Sequence, residues 1–443
     1  MSLWWAEHAW LGGAHTTADV LFEVKEDRFD AITPGVTSPP AGAVRLEGLT
    51  LPGLANVHSH AFQRALRGRT HEGPGSFWTW RDLMYAVADR LDPDNYLRLA
   101  AAVFAEMALA GFTAVGEFHY VHHGPRGVPY DDPNAMGTAL VEAARLAGIR
   151  LTLIDACYLD GGFGVPLEGP QLRFGDSSAP GWIERVEQLP PPDSHFRLAA
   201  AVHSVRAVPP MAILEVAEWA AERRCPLHAH VSEQRLEQTE TRKHRGTTPL
   251  GVLAAAGALV PDFTAVHGTH LSKKDIEGLA ESASGCCICP TTERDLGDGI
   301  GPAAALHQAG VQLSIGSDSQ AVIDGLAEIR ALEMDSRLAS EQRGVLGSHT
   351  LLETATANGM GALGWEAGAL AIGKLADFVN VRLDRAGTAG CDPSLASSAV
   401  FAASGSDVEM VVVGGRPVVR EGRHLGVLDV AGELSAAIAA VIE

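Results

Sequence analysis

Basic charge is scarce in this 443-residue chain: 34 lysines and arginines stand against 54 aspartates and glutamates, a formal net charge of −20. An acidic chain without a basic run is a poor partner for phosphate backbones and anionic bilayers, so neither nucleic acid nor membrane is expected as a partner. Long hydrophobic runs are absent too, and no segment reaches the ~18 uncharged apolar residues of a membrane span. The start, Met1 to Leu11, carries Trp4, Trp5 and Glu7 but no basic stretch, so it does not read as a secretory signal. Cysteine is sparse. Six residues (Cys157, Cys225, Cys286, Cys287, Cys289 and Cys391) in a chain this long suggest free thiols in a reducing cytoplasm rather than a disulfide framework. With 46% hydrophobic and 20% charged residues the composition is that of a globular chain, which excludes whole-chain disorder.

What is present is a change of pattern along the chain. The first fifty residues read as short strands at Leu3 to Leu11, Ala18 to Val24 and Ala43 to Leu51, with a Gly12-Gly13 turn. The far end reads similarly: Ala376 to Leu383 is an apolar run, and Val408 to Val413, Gly414-Gly415, Arg416 to Arg420 is a hairpin signal. Between them, eight β-type runs alternate with stretches of helical spacing such as Tyr96 to Ala110 and Ala212 to Arg223. The runs are Leu51 to Val57, Thr113 to Phe118, Arg150 to Tyr158, Phe196 to Val202, Pro226 to Ala229, Phe263 to Val266, Gly285 to Cys289 and Val311 to Gly316. Eight such units predict an α/β fold closed into a (β/α)8 TIM barrel, with its site at the C-terminal strand ends. An open doubly wound sheet is the alternative that alternation leaves standing.

The chemistry-bearing residues fall at those strand ends. Run one ends in His58-Ser59-His60 and run two in Glu117-Phe118-His119-Tyr120. Run four ends in His203-Ser204-Val205-Arg206, run five carries His228-Ala229-His230 and then Glu233, run six ends in His267, and run eight in Ser317-Asp318. His-x-His on a strand sets two imidazoles on one side, where they can clamp one metal; a carboxylate completes a harder site. One such pair alone reads as a polar strand end. A second pair, together with an aspartate inside an apolar run, is hard to explain by packing, because a buried carboxylate needs a partner or a cation. Glu233 is read as catalytic rather than as a helix cap, and Arg206 as a ligand-binding residue rather than a surface ion pair. His119, His122 and His123 are expected to be loop structure. Cys286, Cys287 and Cys289 are expected on a buried strand, and Trp78 and Trp80 in loop packing.

L-P-G-L-A-N-V-H-S-H at 51–60, H-A-H-V-S-E at 228–233, V-H-G-T-H at 266–270, I-G-S-D-S at 315–319 and G-K-L-A-D-F-V at 373–379 resemble the amidohydrolase superfamily over nearly the whole chain. The resemblance implies a metal-dependent barrel at 51–372, with a small β-sandwich built from 1–50 and from 373–443, the latter ending in a helix. It implies one divalent metal, zinc by preference, on His58, His60, His230 and Asp318. No lysine ends run four, where two-metal members carry a carbamylated one, so the mononuclear deaminase-type branch is implied. Further motifs narrow the match: A-F-Q-R at 61–64, S-F-W-T-W-R-D-L-M-Y at 76–85, E-F-H-Y-V-H-H at 117–123, H-S-V-R-A-V at 203–208 and L-G-D-G-I at 296–300 are similar to bacterial N-formimino-L-glutamate deiminases. Those enzymes, in histidine breakdown, convert formiminoglutamate and water to N-formylglutamate and ammonia. The resemblance makes Glu233, His267 and Asp318 catalytic, gives the substrate to Gln63, Arg81, Tyr120, His203 and Arg206, and suggests a homodimer. One position departs: Gln320 stands where the family run is S-D-S-H.

An amidine carbon is a poor electrophile until its nitrogen is protonated. Its hydrolysis needs an activated water, a proton for the departing nitrogen and a donor for the tetrahedral adduct. Asp318, Glu233 and His267 can fill these three roles in that order. A small dicarboxylate substrate must be held by local cations, Arg81 and Arg206, against the negative field of the whole chain. The rivals are an aminohydrolase acting on a guanidino acid or on a purine or pyrimidine base, and a metal-binding protein without turnover. The three proton-handling residues argue against the last.

Overall fold

The computed structural model describes residues 1–71 and 77–442, except the side chains of Phe77 and Trp78. Ser76 of the 76–85 motif and the Trp78 ring therefore lie outside the described residues.

The chain ends build one mixed eight-stranded sheet. Its strands are β1 (Ser2–Ala9), β2 (Thr17–Lys25), β3 (Arg28–Thr33), β4 (Val44–Pro52), β13 (Phe378–Val381), β14 (Val408–Val413), β15 (Arg416–Arg420) and β16 (Arg423–His424). They lie in the order β16-β15-β14-β13-β4-β1-β2-β3, with β1 and β4 parallel and the other pairs antiparallel. Its core packs Trp4, Phe22 and Phe29 around Phe378. The expected hairpin turn is present: Gly414 and Gly415 both have positive φ (55° and 72°), as a two-residue turn matching strand twist requires. β3 is a strand beyond the three expected in the first fifty residues. Its sequence, R-F-D-A-I-T, buries only Phe29 and so carries no clean alternation.

The middle of the chain is the expected barrel. Eight parallel strands follow one another in spatial order: β5 (Leu54–Ser59), β6 (Phe112–His119), β7 (Arg150–Cys157), β8 (Phe196–Val202), β9 (Leu227–Val231), β10 (Phe263–His267), β11 (Gly285–Ile288) and β12 (Gln312–Ile315). Every residue of β5, β6 and β7 is buried, as strands covered on both faces require, and their apolar runs reflect it. The first and last strands meet where the backbone N–H of Asp318 donates to His58 O (2.9 Å) and that of His60 to Asp318 O (3.1 Å). Gly316 permits the approach, since a Cβ there would sit 2.7 Å from the Cβ and the carbonyl oxygen of His58. Barrel and sheet are joined by a buried bidentate pair. Arg150 on β7 donates to both oxygens of Asp377 (2.7 and 2.8 Å), just before β13.

Candidate active site

The strand ends bring His58, His60, His230, His267 and Asp318 together. Asp318 Oδ1 lies 3.3 Å from His58 Nε2 and 3.4 Å from His60 Nε2. The Nε2 atoms of His58 and His230 are 3.1 Å apart. His60 Nδ1 donates to Phe118 O and His230 Nδ1 to His203 O, both at 2.9 Å. Each bond fixes the tautomer, leaving the Nε2 lone pair turned inward. Burial lowers the pKa of all three imidazoles, that of His60 to about 3. Burial alone would raise the Asp318 carboxyl, but the His58 ring beside it, with those of His267 and His60, holds it well below its usual range. Neutral imidazoles with convergent lone pairs beside an ionised carboxylate are the donor set of a divalent cation. His58, His60, His230 and Asp318 fit one.

Glu233 and His267 stand beside this cluster. His267 Nε2 is 3.9 Å from Glu233 Oε1 and 3.9 Å from Asp318 Oδ2. Burial raises Glu233 to about 7, against the pull of His267. His267 itself is held well above its usual value. Burial opposes that, but the Glu233, Glu293 and Asp318 carboxylates outweigh it. His267 (φ 70°) and Asp318 (φ 43°) both sit in the left-handed region, a conformation that concentrates at functional strand ends.

The pocket above them is lined by every substrate-binding residue expected from the sequence: Gln63, Arg81, Tyr120, His203 and Arg206. Gln63 is buried and donates to the Tyr120 hydroxyl (3.2 Å), and its own Oε1 has no partner among the described residues. Arg81 lies over the Tyr85 ring at 5.4 Å. No carboxylate among the described residues comes within ion-pair distance of Arg206, and its Nε is buried without a partner. The Glu237 and Glu233 carboxylates lie close enough to act on it electrostatically, without an ion pair.

Several residues of the site had no role assigned from the sequence, and Trp80, expected in loop packing, lies on the helix Phe77–Asp89. Tyr158 packs on the His203 ring (4.4 Å between centroids) and, with Tyr85, receives hydrogen bonds from Gln171. Phe174 and Trp80 close the apolar wall. Glu117, at the end of β6, accepts from Ser59 Oγ and the Ala61 N–H, both at 2.6 Å, and so braces the loop carrying His60. Tyr158 and Glu117 were legible as strand-end polar residues. Gln171 lies in the short 3-10 turn Gly169–Arg173, with no signal of its own.

Other candidates resolve differently. His228 shares the His-x-His spacing but donates to or accepts from nothing at the centre; its Nε2 lies 3.1 Å from the Ala362 carbonyl oxygen. His119, His122 and Asp155 also converge. There Arg185 donates to both oxygens of Asp155 (3.0 and 2.7 Å) and pairs with Asp176 (3.0 Å), while Trp182 Nε1 donates to Asp155 at 2.9 Å. The guanidinium already supplies the positive charge, and the network fastens the His122-His123 loop, where His123 Nε2 lies 3.4 Å from Asp176. Cys286, Cys287 and Cys289 are completely buried, and burial pushes the thiols of Cys286 and Cys289 up.

Comparison with known proteins agrees with this architecture. Residues 49–418 match the pattern of the amidohydrolase family. The chain is 38% identical to a formimidoylglutamate deiminase of Pseudomonas aeruginosa, over 92% of each chain. It is 30% identical to a 5-methylthioadenosine/S-adenosylhomocysteine deaminase of Natronomonas pharaonis, over 93% of this chain and 90% of that one. The crystal structure of an amidohydrolase from Brucella melitensis superposes with a TM-score of 0.90 at 29% identity, covering all of both chains.

Proposed function

The chain belongs to the amidohydrolase family and acts as a hydrolase on C–N bonds, and from that premise we propose that it is a metal-dependent deiminase converting N-formimino-L-glutamate and water to N-formyl-L-glutamate and ammonia. The observation that carries the substrate is Arg206, an unpaired guanidinium at the wall of the pocket that Glu233, His267 and Asp318 line from below. Arg81 lines the same pocket, so two carboxylates can each meet a guanidinium, whose planar fork matches a carboxylate in a way lysine cannot copy. The relative from Pseudomonas aeruginosa, named for this activity, supports the same reading.

His58, His60, His230 and Asp318 would hold one divalent ion, zinc by preference. Such an ion supplies Lewis acidity and lowers the pKa of a coordinated water toward ~7. The chain's own residues do the rest. Asp318 takes a proton from the attacking water as its oxygen adds to the formimino carbon. Glu233, raised by burial to about 7 and so able to carry a proton at neutral pH, gives it to the imino nitrogen. His267 donates to the oxygen that gains negative charge as the carbon becomes tetrahedral. Asp318 then passes the proton it took from the water to the same nitrogen, the adduct's hydroxyl proton returns to Glu233 as the C–N bond breaks, and ammonia leaves while the formyl group remains. Gln63 and Tyr120 present polar atoms to the same pocket, where they orient the amidine.

The relatives named for methylthioadenosine deamination make a base or nucleoside the second reading. The discriminating experiment is ammonia release by zinc-loaded protein from formiminoglutamate, a guanidino dicarboxylate, guanine, cytosine and methylthioadenosine. Turnover of formiminoglutamate at least ~100-fold above the others is expected. Preference for a nucleoside or base would overturn the proposal. Binding of zinc without ammonia from any of them would favour a non-catalytic metal-binding protein.

A further inference from the structure

The candidate metal ligands straddle the barrel's closing seam, with His58 and His60 on β5 and in the residue after it, and Asp318 beyond β12. Among the described residues the two strands' ends are joined there by a single backbone bridge, Ser59 to Asp318. Gln320, two residues past Asp318, is completely buried and does not line the pocket. Its Nε2 donates to Ser59 Oγ on one side of the seam and to the Asp318 carbonyl on the other, both at 2.9 Å. Its Oε1 accepts from Ser317 Oγ at 2.7 Å, and its backbone carbonyl accepts from Arg67 Nε at 2.6 Å. Asn56 on β5 closes the ring. It accepts from the Ser317 N–H (2.9 Å) and donates to Ser317 Oγ (2.6 Å).

We propose that Gln320 is a positioning residue for the metal site: it stitches β12 to β5 so that Asp318 is held at its distance from His58 and His60 before any ion arrives. The inference rests on the metal-site reading above. Outer hydrogen bonds that fix ligand direction are the part of a metal site that sets affinity once the ligand set is given. The backbone of Gln320 supports the role. It sits at φ 62°, a conformation unfavourable for a residue with a Cβ, which persists only where surrounding contacts over-determine it. Every group Gln320 touches keeps another partner without it. Ser59 Oγ still donates to Glu117, Ser317 Oγ still accepts from Asn56, and Asp318 O still accepts from the His60 N–H. Gln320→Leu, of similar size, therefore removes the cross-link and leaves only the Ser317 hydroxyl hydrogen without its acceptor.

The test is zinc affinity, read by competition between metal-free protein and a chromogenic chelator, with folding followed by circular dichroism. Gln320→Leu should weaken zinc binding ~10- to 100-fold at a temperature where the metal-free variant is fully folded. Ser317→Ala, which removes the bond to Oε1 and the one from Asn56 but leaves both Nε2 bonds of Gln320, should weaken it by a smaller factor. Wild-type affinity in a folded Gln320→Leu variant overturns the proposal. So does a loss that vanishes once the unfolded fraction is subtracted. If Gln320→Leu does not fold, Ser317→Ala decides alone, and unchanged affinity there counts against the seam. A wild type that fails to bind zinc would instead overturn the metal reading itself.

Discussion

Nδ1 of His267 stands 3.4 Å from Oε1 of Glu293, and the same oxygen accepts the backbone N–H of Cys289 at 2.9 Å. The imidazole is thus held from behind by a carboxylate on the helix Pro290–Leu296 while its Nε2 faces Glu233 and Asp318. Glu293→Gln keeps the shape but removes the charge that fixes the Nδ1 proton. It should lower kcat by roughly 10²-fold, the low end of what a positioned acid–base group contributes, with little change in KM or in bound zinc. Steady-state kinetics with metal analysis checks this. Loss confined to KM would mean that Glu293 serves the substrate.

Asp318→Ala and Glu233→Gln should separate metal from proton transfer. The first removes a ligand, so zinc content and activity should vanish together. The second should retain zinc and lose about 10²-fold or more in rate. Zinc per protein by atomic emission, beside ammonia release, reads both. A zinc-free Glu233→Gln variant would make that carboxylate a ligand.

Arg206→Met should leave fold and zinc intact and cost roughly 2–5 kcal/mol in kcat/KM for formiminoglutamate, the cost of a buried carboxylate without its partner. Arg206→Lys should recover only part of it. Substrate analogues with one carboxylate amidated should be poor for the wild type and nearly indifferent to the mutation. Equal turnover by wild type and Arg206→Met would remove the dicarboxylate reading.

Stability should respond to pH in two opposite ways. Glu328 is completely buried at the start of the helix Gly325–Ser340, and burial raises it to about 8. The folded state therefore binds a proton that the unfolded chain releases near pH 4.5, so stability from this group is present below that pH and falls as pH rises toward 8. Asp155 is the reverse. Burial would raise it, but Arg185 holds it below its ordinary value, so its contribution is present above ~4 and lost as pH falls further. Denaturant titrations should show Glu328→Gln flattening the decline between pH 5 and 8 without changing the acid limb.

Arg185→Met should be destabilising by ~3–5 kcal/mol, since it leaves Asp155 and Asp176 buried without their cation. Chemical unfolding at pH 7 tests this. A loss under ~1 kcal/mol would mean that the two aspartates find other partners.

The barrel was legible because its strands are largely buried on both faces and read as apolar runs, six of the eight ending in polar residues that mark the active rim. His58, His60, His230, His267 and Asp318 could be found that way, since each lies at or just beyond a strand end. The sheet of the chain ends was only partly legible: β3 buries one residue and β16 has two, too little pattern for a strand. Glu293 and Gln171 were invisible for another reason. Each reaches its partner from a helix or loop far along the chain, and nothing in the local sequence reports which neighbour the tertiary fold will supply. Gln320 could be singled out as a departure from the family run, but its hydrogen bonds across the seam could be seen only once β5 and β12 were side by side.

The Arg150–Asp377 pair has a consequence for the order of events in synthesis. Arg150 is placed by β7, less than halfway along the chain, while the carboxylate that neutralises it arrives more than two hundred residues later. The same late segment supplies β13, which fills the place beside β4 in the sheet. On the ribosome, a barrel whose eight strands have all emerged still holds an uncompensated guanidinium at its base and leaves β4 without a neighbour on one side. Folding of the nascent protein should therefore stay reversible, and open to chaperones and proteases, until the stretch around Asp377 has left the exit tunnel.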